Sequence, residues 1–345
     1  MTKKYNVGVL GATGAVGQQI LTCLGERIFP IDSLKVLASE RSVGKTVDFY
    51  GDLLKVEKVG PDSFNGLDLA IFSAGSEASS EYAPIAAKAG CIVIDNSSKW
   101  RMDSRVPLII PEINPGAMKK HKGIIANPNC STIQMLVALK PIYDAVGIKR
   151  IVVSTYQSVS GSGYKGVKEL ANQSTSLLTG QEAKISVYPH RIAFNCLPHI
   201  DSFLDNGYTK EEMKMVNETI KIFDDKNIKV TATCVRIPLF YGHSEAVWIE
   251  TGRHISPEAA RELLNRAPGI VVIDDPEINR YPMASDCINL DEVMVGRIRA
   301  DLSCENGLAM WVVADNIRKG AATNAVQIAE LLIKDSKLMK TDWSD

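Results

Sequence analysis

Short apolar runs alternate with amphipathic segments over the first hundred residues of the chain. Four such runs are NVGVL (6–10), SLKVLAS (33–39), LDLAIFSAG (67–75) and CIVIDNSS (91–98), and the last three end in glycine or serine. Apolar runs with little alternation are typical of strands that are buried on both faces of a parallel sheet. Segments 18–26 and 77–89 lie between them and have the pattern of helices. This part of the chain is therefore predicted to be a Rossmann-type α/β domain.

The middle of the chain has a different pattern. Four apolar runs predict strands of a mostly antiparallel sheet: 148–156, 228–240, 244–251 and 307–315. Three amphipathic segments predict helices that cover one face of it: 165–178, 209–224 and 256–266. The last helix, 321–335, is predicted to return to the first domain. We therefore expect a dinucleotide-binding domain of residues 1–129 and 318–345, and an α+β domain of residues 130–317.

Composition excludes several classes of protein. The 345 residues carry 39 Lys+Arg and 40 Asp+Glu, a net charge of −1 without a basic stripe, so a nucleic-acid partner is not expected. The sequence has neither an 18-residue apolar stretch nor a signal-peptide pattern, which predicts a cytoplasmic protein with no membrane contact. The seven cysteines are scattered and form no CxxC pair, so neither disulfides nor a metal site is expected.

A glycine-rich turn follows the first predicted strand and precedes a helix. In GATGAVG (11–17), glycines allow a tight turn, and the helix start offers N–H groups to a pyrophosphate. The expected cofactor contacts at this turn are Gly11, Thr13, Gly14, Ala15 and Val16.

The second predicted strand ends in Ser39, Glu40, Arg41 and Ser42. A guanidinium flanked by two hydroxyl groups suits the 2′-phosphate of NADP, so Ser39, Arg41 and Ser42 are assigned to NADP(H). Glu40 keeps NAD open, because a carboxylate at this point usually binds the ribose 2′-hydroxyl. A solvated turn without a ligand is the other alternative. Strand-end position also places Ala74 and Gly75 beside the cofactor.

Cys130 lies in NPNCST (127–132), directly before a helical pattern at 131–147. Asn129 is a good N-cap residue, so Cys130 is predicted in the first helical turn. The N–H groups there stabilise a thiolate and the oxyanion of an attacked carbonyl. A small buried cysteine at a domain junction remains an alternative interpretation.

Ten motifs are distributed over both predicted domains: GATGAVG (11–17), ASERSVGK (38–45), IDNSSKWRMD (94–103), NPNCSTIQ (127–134), STYQSVSGSG (154–163), EEMK (211–214), CVRIP (234–238), GHSEA (242–246), VGRIRAD (295–301) and WVVADNIRKGAATNAVQIAE (311–330). Together they resemble the aspartate-semialdehyde dehydrogenase family. The resemblance implies NADPH-dependent reduction of L-aspartyl-4-phosphate to L-aspartate 4-semialdehyde, with release of phosphate, in lysine, threonine and methionine biosynthesis.

The family's fold and chemistry are implied along with the reaction. The second domain is expected to be of the glyceraldehyde-phosphate-dehydrogenase-like type, and its uncovered apolar sheet face suggests a homodimer or a dimer of dimers. Cys130 is the implied nucleophile, which forms a thioester. Among five histidines, the motif selects His243 as proton donor or acceptor.

Charged residues of the motifs match the two anionic ends and the ammonium of the substrate. Arg236 matches the clamp for the carboxylate, because a guanidinium can bind both oxygens. Arg101 and Lys214 match the phosphate-binding cations, and Glu211 is placed to meet the ammonium. For Glu211 and Lys214, three residues apart on a predicted helix, a solvated salt bridge is the alternative.

Five further polar or glycine positions complete the expected site. Gln157 and Asn129 match residues that orient the attacked carbonyl, although turn or strand-end hydrogen bonds would also explain them. Ser160 and Gly161 precede a predicted helix and are expected at the nicotinamide half of NADP. Asn316 matches another family position that contacts this cofactor.

Three other functions remain as alternatives. N-acetyl-glutamyl-phosphate reductase uses the same thioester chemistry, but its acylated substrate nitrogen gives Glu211 no ammonium to bind. Glyceraldehyde-phosphate dehydrogenase has a different cysteine motif and normally uses NAD. A catalytically silent NADP-binding sensor would be expected to have lost one of Cys130, Gln157, Arg236 or His243, and all four are present.

Overall fold

The computed structural model describes residues 3–344. Met1, Thr2 and Asp345, which the predicted range 1–129 and 318–345 includes, lie outside the described residues. The chain divides into two compact units, Met1–Asn129 with Ala321–Asp345, and Cys130–Gly320.

From residue 3 to residue 129, the first unit contains eight strands and two α-helices: β1 (Tyr5–Leu10), α1 (Ala15–Glu26), β2 (Ile31–Ala38), β3 (Thr46–Phe49), β4 (Asp52–Lys55), β5 (Glu57–Lys58), β6 (Leu69–Phe72), α2 (Ser76–Lys88), β7 (Ile92–Asp95) and β8 (Ile124–Ala126). The second unit contains four helices and six strands: α3 (Cys130–Val146), β9 (Ile148–Gln157), α4 (Tyr164–Leu178), α5 (Lys210–Phe223), β10 (Lys229–Arg236), β11 (His243–Thr251), α6 (Pro257–Arg266), β12 (Ile270–Val272), β13 (Val293–Ala300) and β14 (Gly307–Ala314). The chain then returns to the first unit in α7 (Thr323–Lys334).

A six-stranded parallel sheet forms the centre of the first unit, in the order β5-β2-β1-β6-β7-β8. Strand order reverses beside β1, and ligands of such sheets bind at the carboxyl ends of the strands at this switch point. Val7 and Val9 of β1 are fully buried, as are Val326 and Leu332 of α7, which belong to the same apolar cluster. The C-terminal helix therefore completes the core of the first unit.

The second unit contains a mixed sheet in the order β10-β9-β11-β14-β13-β12. Three neighbouring pairs are antiparallel and two, β10–β9 and β12–β13, are parallel. Helices α3, α5 and α6 pack against the strands. The parallel sheet of the first unit and the mixed sheet of the second confirm the predicted fold class.

The strand register brings one end each of β9, β10 and β11 together at the same end of the second sheet. Gln157, the last residue of β9, is paired with Arg236, the last residue of β10. Strand β11 begins at His243, and its next residue, Ser244, is paired with Tyr156 of β9. Gln157 therefore lies at the same end of the sheet as Arg236 and His243, which follow it by 79 and 86 positions in the sequence.

The structure differs from the sequence-based prediction in a few elements. Strands β3, β4 and β5 were not predicted, because they are short and have no apolar run. The predicted strand 228–240 ends at Arg236, since Pro238 lacks the N–H that would continue the ladder. Among residues 3–344, no helix combines the length and the apolar character that crossing a membrane requires.

Candidate active site

The glycine turn of the first unit forms a close backbone cradle. Gly11 has φ +87°, and a methyl group at this residue would lie 2.3 Å from the main-chain oxygen of Ser73. A methyl group at Gly17 would lie 2.1 Å from the oxygen of Gly11, so α1 can approach the turn only with glycine there. Both positions therefore require glycine, as a pyrophosphate-binding turn at a helix start does.

A cleft of about 750 Å³ opens beside this turn. Its lining includes seven of the predicted cofactor-binding residues: Gly11, Thr13, Gly14, Ser39, Arg41, Ser42 and Ala74. Ala15 and Val16 are the first residues of α1, and Gly75 is the N-cap residue of α2. Thr13 Oγ1 and Ser42 Oγ share a hydrogen bond of 3.2 Å that joins the two turns. The sequence did not single out Lys45 and Lys58, which line the same cleft.

Arg101 is buried at the end of the parallel sheet. Its Nε donates to the oxygen of Asn127 at 2.9 Å, and its Nη2 donates to the oxygen of Asn96 at 2.8 Å. The guanidinium therefore links the segments that follow β7 and β8. Asn129, the last residue of this part of the first unit, is also buried.

His243 is fully buried at the start of β11. Its Nδ1 accepts the Ser158 N–H at 3.2 Å, and a main-chain N–H can only donate, so the proton of the neutral imidazole is on Nε2. Burial, and then the charge of Arg236, lower the pKa of His243 to about 3. In the described part of the chain Nε2 has no hydrogen-bond partner. His243 is thus a neutral imidazole with one N–H available to a ligand.

Arg236 and His243 converge beside Gly161. A methyl group on Gly161 would lie 2.9 Å from Arg236 Nη1 and 3.4 Å from His243 Nε2. Arg236 Nη1 donates to the oxygen of Ser158 at 2.6 Å, while its buried Nε has no partner within residues 3–344. A buried guanidinium with an unused N–H is suited to bind an anion.

Gln157, Glu211, Lys214 and Asp201 form a hydrogen-bonded chain. Gln157 Nε2 donates to Glu211 Oε1 at 3.3 Å, and Lys214 Nζ donates to Glu211 Oε2 at 2.9 Å. Lys214 also donates to Asp201 Oδ2 at 3.0 Å. Burial lowers the pKa of Lys214, but the two carboxylates outweigh burial and raise that pKa above its usual value. Lys214 therefore stays charged, and Glu211 has charge-assisted contacts.

The start of α5 fixes the position of Glu211. Thr209 Oγ1 accepts the Glu212 N–H at 3.3 Å, and Glu212 Oε2 accepts the Thr209 N–H at 2.7 Å, which is a capping box. Glu212 Oε1 also accepts the N–H of Cys234 in β10 at 3.0 Å. The helix end that carries Glu211 is thereby joined to the strand that ends in Arg236.

Asn316 lies among hydrogen bonds beneath His243. Its Oδ1 accepts the Gly242 N–H at 3.1 Å and the hydroxyls of Ser158 and Ser160 at 3.3 and 3.2 Å. Asn316 therefore joins Gly242, the residue before His243, to the turn that contains Ser158 and Ser160.

Cys130 is the first residue of α3 and is half-buried. A methyl group on Gly320 would lie 2.8 Å from Cys130 Cβ, so the chain passes close to the cysteine at this glycine. One helical turn later, Gln134 Nε2 donates to the main-chain oxygen of His243 at 3.4 Å. Ser158, Asp201 and Gln134 were not predicted as site residues, because the sequence carries no signal for their long-range contacts.

Comparisons with known proteins identify the family of this chain. The family profile described as the semialdehyde dehydrogenase NAD binding domain matches residues 6–121, and the dimerisation domain of the same family matches residues 139–319. Aspartate-semialdehyde dehydrogenase of Aquifex aeolicus is 61% identical over 335 residues, which are 96% of this chain and 98% of that protein.

Solved structures are similar over the same length. The crystal structure of aspartate semialdehyde dehydrogenase II from Vibrio cholerae complexed with ASA has a TM-score of 0.94 and 54% identity, covering 96% of this chain and 99% of that one. A probable aspartate-semialdehyde dehydrogenase from Pseudomonas aeruginosa has a TM-score of 0.92 and 31% identity, covering 97% and 100%.

Proposed function

Because the chain belongs to the aspartate-semialdehyde dehydrogenase family, we propose that it reduces L-aspartyl-4-phosphate to L-aspartate 4-semialdehyde with NADPH. The reaction releases inorganic phosphate and supplies the lysine, threonine and methionine branches of amino-acid biosynthesis. We place it in the cytoplasm, in keeping with seven cysteines that the sequence scatters without pairs.

One observation carries the proposal. Gln157, Arg236 and His243 end or begin three adjacent strands at one sheet edge, and Gln134 joins the helix of Cys130 to His243. A nucleophile, an N–H donor and a buried guanidinium are the groups that thioester chemistry on a carboxylated substrate requires.

The first unit fits a nicotinamide dinucleotide. Gly11 and Gly17 leave the backbone open at the start of α1, and Ser39, Arg41 and Ser42 line the far part of the cleft. These residues would hold NADP, with its 2′-phosphate at Ser39, Arg41 and Ser42. When bound, the cofactor supplies the hydride that reduces the thioester.

Cys130 supplies the covalent step. Its thiolate attacks the C4 carbonyl of aspartyl phosphate, the C–O bond to phosphate breaks, and a thioester forms. After reduction, the tetrahedral carbon expels the Cys130 thiolate and becomes the aldehyde. The phosphate leaves with its electron pair and takes up one proton, so atoms and charge balance.

His243 acts as a donor during both tetrahedral stages. With the Ser158 N–H at Nδ1, the imidazole can offer its Nε2–H to the carbonyl oxygen when that oxygen becomes negative. The lowered pKa keeps the ring neutral near pH 7, so its Nε2–H stays available as a hydrogen-bond donor throughout the cycle.

The charged residues of the second unit recognise the amino acid part of the substrate. Arg236 Nε faces no protein acceptor in the described chain and is assigned to the carboxylate. Glu211 is assigned to the ammonium and Lys214 to the phosphate, with Gln157 orienting the carbonyl. Arg101 and Asn129 complete the proposed set from the first unit, at the phosphate and the carbonyl respectively. Ser160, Gly161 and Asn316 are proposed to border the nicotinamide.

The sheet face opposite α3 is proposed as a homodimer interface. A depression of about 550 Å³ there is lined mainly by apolar and aromatic residues, including Tyr156, Leu239, Met310 and Trp311. Aromatic residues and Met are enriched in protein interfaces. A dimer of dimers is the larger assembly we propose to test. Light scattering after gel filtration would measure twice or four times the mass of 37.6 kDa, whereas a monomer would contradict this assignment.

Phosphate-dependent oxidation of aspartate semialdehyde, followed as NADPH formation, tests the enzymatic proposal. The parent should be active, Cys130→Ala should be inactive, and Cys196→Ala, which removes an exposed cysteine elsewhere, should keep parental activity. Oxidation of N-acetylglutamate semialdehyde in place of the aspartate compound would overturn the substrate. Inactivity on both, with NADP still bound, would indicate a silent sensor.

A further inference from the structure

Two oppositely charged side chains meet at the rim of the dinucleotide cleft. Glu40, in the turn after β2, forms an ion pair with Lys58 of β5. Both side chains are mostly exposed, and both residues line the cleft. The pair therefore lies where the adenosine ribose of a bound dinucleotide is expected.

The backbone brings Lys58 to this position. The two-residue strand β5 pairs in parallel with the end of β2, with Lys58 opposite Ala38. The next N–H, that of Val59, donates to the oxygen of Ala38 at 3.0 Å. Main-chain hydrogen bonds thus hold the backbone of Lys58 beside the turn of Glu40.

The charges that line the cleft are balanced. Three residues are cationic, Arg41, Lys45 and Lys58, and three are anionic, Glu40, Glu77 and Glu81. Without Lys58 the lining would have a net negative charge of one. A 2′-phosphate adds roughly two negative charges near neutral pH, so loss of the Lys58 cation would leave a net negative lining for the phosphate to meet.

Glu40 alone would favour the other cofactor. A carboxylate after the second strand accepts a hydrogen bond from the ribose 2′-hydroxyl of NAD and repels a 2′-phosphate. We propose that Lys58 sets the preference for NADP by binding the Glu40 carboxylate and adding a cation to the 2′-phosphate site. The inference rests on the proposed function and names the residue pair that selects its cofactor.

Dissociation constants of NADP⁺ and NAD⁺ test this role, measured by titration calorimetry on the full chain at low, constant ionic strength, because salt screens exposed charges. The variants are Lys58→Gln, Glu40→Gln and the double variant. Lys55→Gln is the matched control, since Lys55 is an exposed lysine of the adjacent β4 that does not line the cleft.

Lys58→Gln should weaken NADP⁺ binding by about tenfold, the order of one charge-assisted contact, and leave NAD⁺ binding unchanged or tighter. Glu40→Gln should weaken NAD⁺ binding and leave NADP⁺ binding unchanged or tighter, and the double variant should regain most of the NADP⁺ affinity that Lys58→Gln loses. The inference is overturned if Lys58→Gln changes the affinity for both cofactors by the same factor, if Lys55→Gln has an equal effect, or if the double variant binds NADP⁺ no better than Lys58→Gln.

Binding separates this inference from the proposed reaction. A chain that binds NADP⁺ with the predicted dependence on Lys58, but does not oxidise aspartate semialdehyde, would retain the inference and lose the function. An active enzyme whose preference between NADP⁺ and NAD⁺ does not change in Lys58→Gln would retain the proposed function and lose the inference.

Discussion

Gln134 joins the helix of Cys130 to the strand of His243, because its Nε2 donates to the main-chain oxygen of His243 at 3.4 Å. Gln134 follows Cys130 by one helical turn, so the two side chains lie on the same face of α3. Its side chain is fully buried. Since catalytic groups must be held within about 0.5 Å of their productive geometry, this hydrogen bond acts on the spacing of nucleophile and donor.

Gln134→Ala should therefore lower kcat by about tenfold with little change in KM, the effect of one lost positioning hydrogen bond. Steady-state kinetics of the oxidation reaction would measure both constants. Lys140→Ala on the same helix is the control, because Lys140 pairs with Asp144 away from this contact. An unchanged kcat, or an equal loss in the control, would contradict the positioning role.

His243 should remain neutral through the physiological range. Its pKa of about 3 lies below the ordinary value, so the folded protein keeps the ring uncharged while the unfolded chain protonates below about pH 6.5. The ring thus contributes stability above that pH, and the contribution is lost as pH falls toward 3. Nitrogen NMR shifts, assigned with His243→Asn, should show an Nε2–H tautomer from about pH 5 to 8. A protonated ring in that range would refute the geometry.

Gly161 is predicted to tolerate no side chain in an active enzyme. An added methyl group would lie 2.9 Å from Arg236 Nη1, closer than a carbon atom approaches such a nitrogen without displacing it. Displacement of catalytic groups by about 1 Å costs roughly a hundredfold in rate, so Gly161→Ala should lower kcat/KM by that factor.

Gly116→Ala provides the comparison, since a methyl group there would meet nothing within 4 Å. Both variants should show the same circular dichroism spectrum. Activity of Gly161→Ala within about threefold of Gly116→Ala, well inside the expected hundredfold, would show that the space beside Arg236 and His243 is not needed.

Periodicity predicted most of the fold because the elements are long. Strand β9 was expected at 148–156 and spans Ile148–Gln157, and the helix expected at 131–147 spans Cys130–Val146. Strand β5 was beyond such reasoning, because two charged residues, Glu57 and Lys58, have no apolar pattern and pair only through the register of β2.

The same limit applies to the site. Motifs named Gln157, Arg236 and His243, yet no sequence rule shows that the Ser158 N–H would fix the tautomer of His243. In the sequence, Glu40 leaves the choice between NAD and NADP open. Its partner Lys58 lies 18 positions away and reaches it only through the pairing of β5 with β2, which no local pattern indicates. Local pattern predicts elements and residue types, whereas protonation states and ion pairs require the folded contacts.

Glu245 is a fully buried carboxyl group two residues after His243 on β11. Burial raises the pKa of Glu245 well above its ordinary value, and the Gln134 amide offsets only part of this effect. The folded protein therefore holds this proton to a higher pH than the unfolded chain does. A glutamine side chain has the same shape and cannot ionise, so it should fit this buried position without the cost of burying a charge.

Glu245→Gln should raise the thermal unfolding midpoint at about pH 8 and leave it unchanged at about pH 4. Below about pH 4.5 both states of the parent bind the proton. As pH rises above that value the unfolded state releases the proton first, so the parent loses stability. Each kcal/mol that the amide adds to the free energy of unfolding should raise the unfolding midpoint by about 2–4 °C. Glu250→Gln, half-exposed on the same strand, is the matched control. A destabilised Glu245→Gln variant at pH 8 would mean that the folded protein holds a carboxylate there, stabilised by a partner the amide cannot replace.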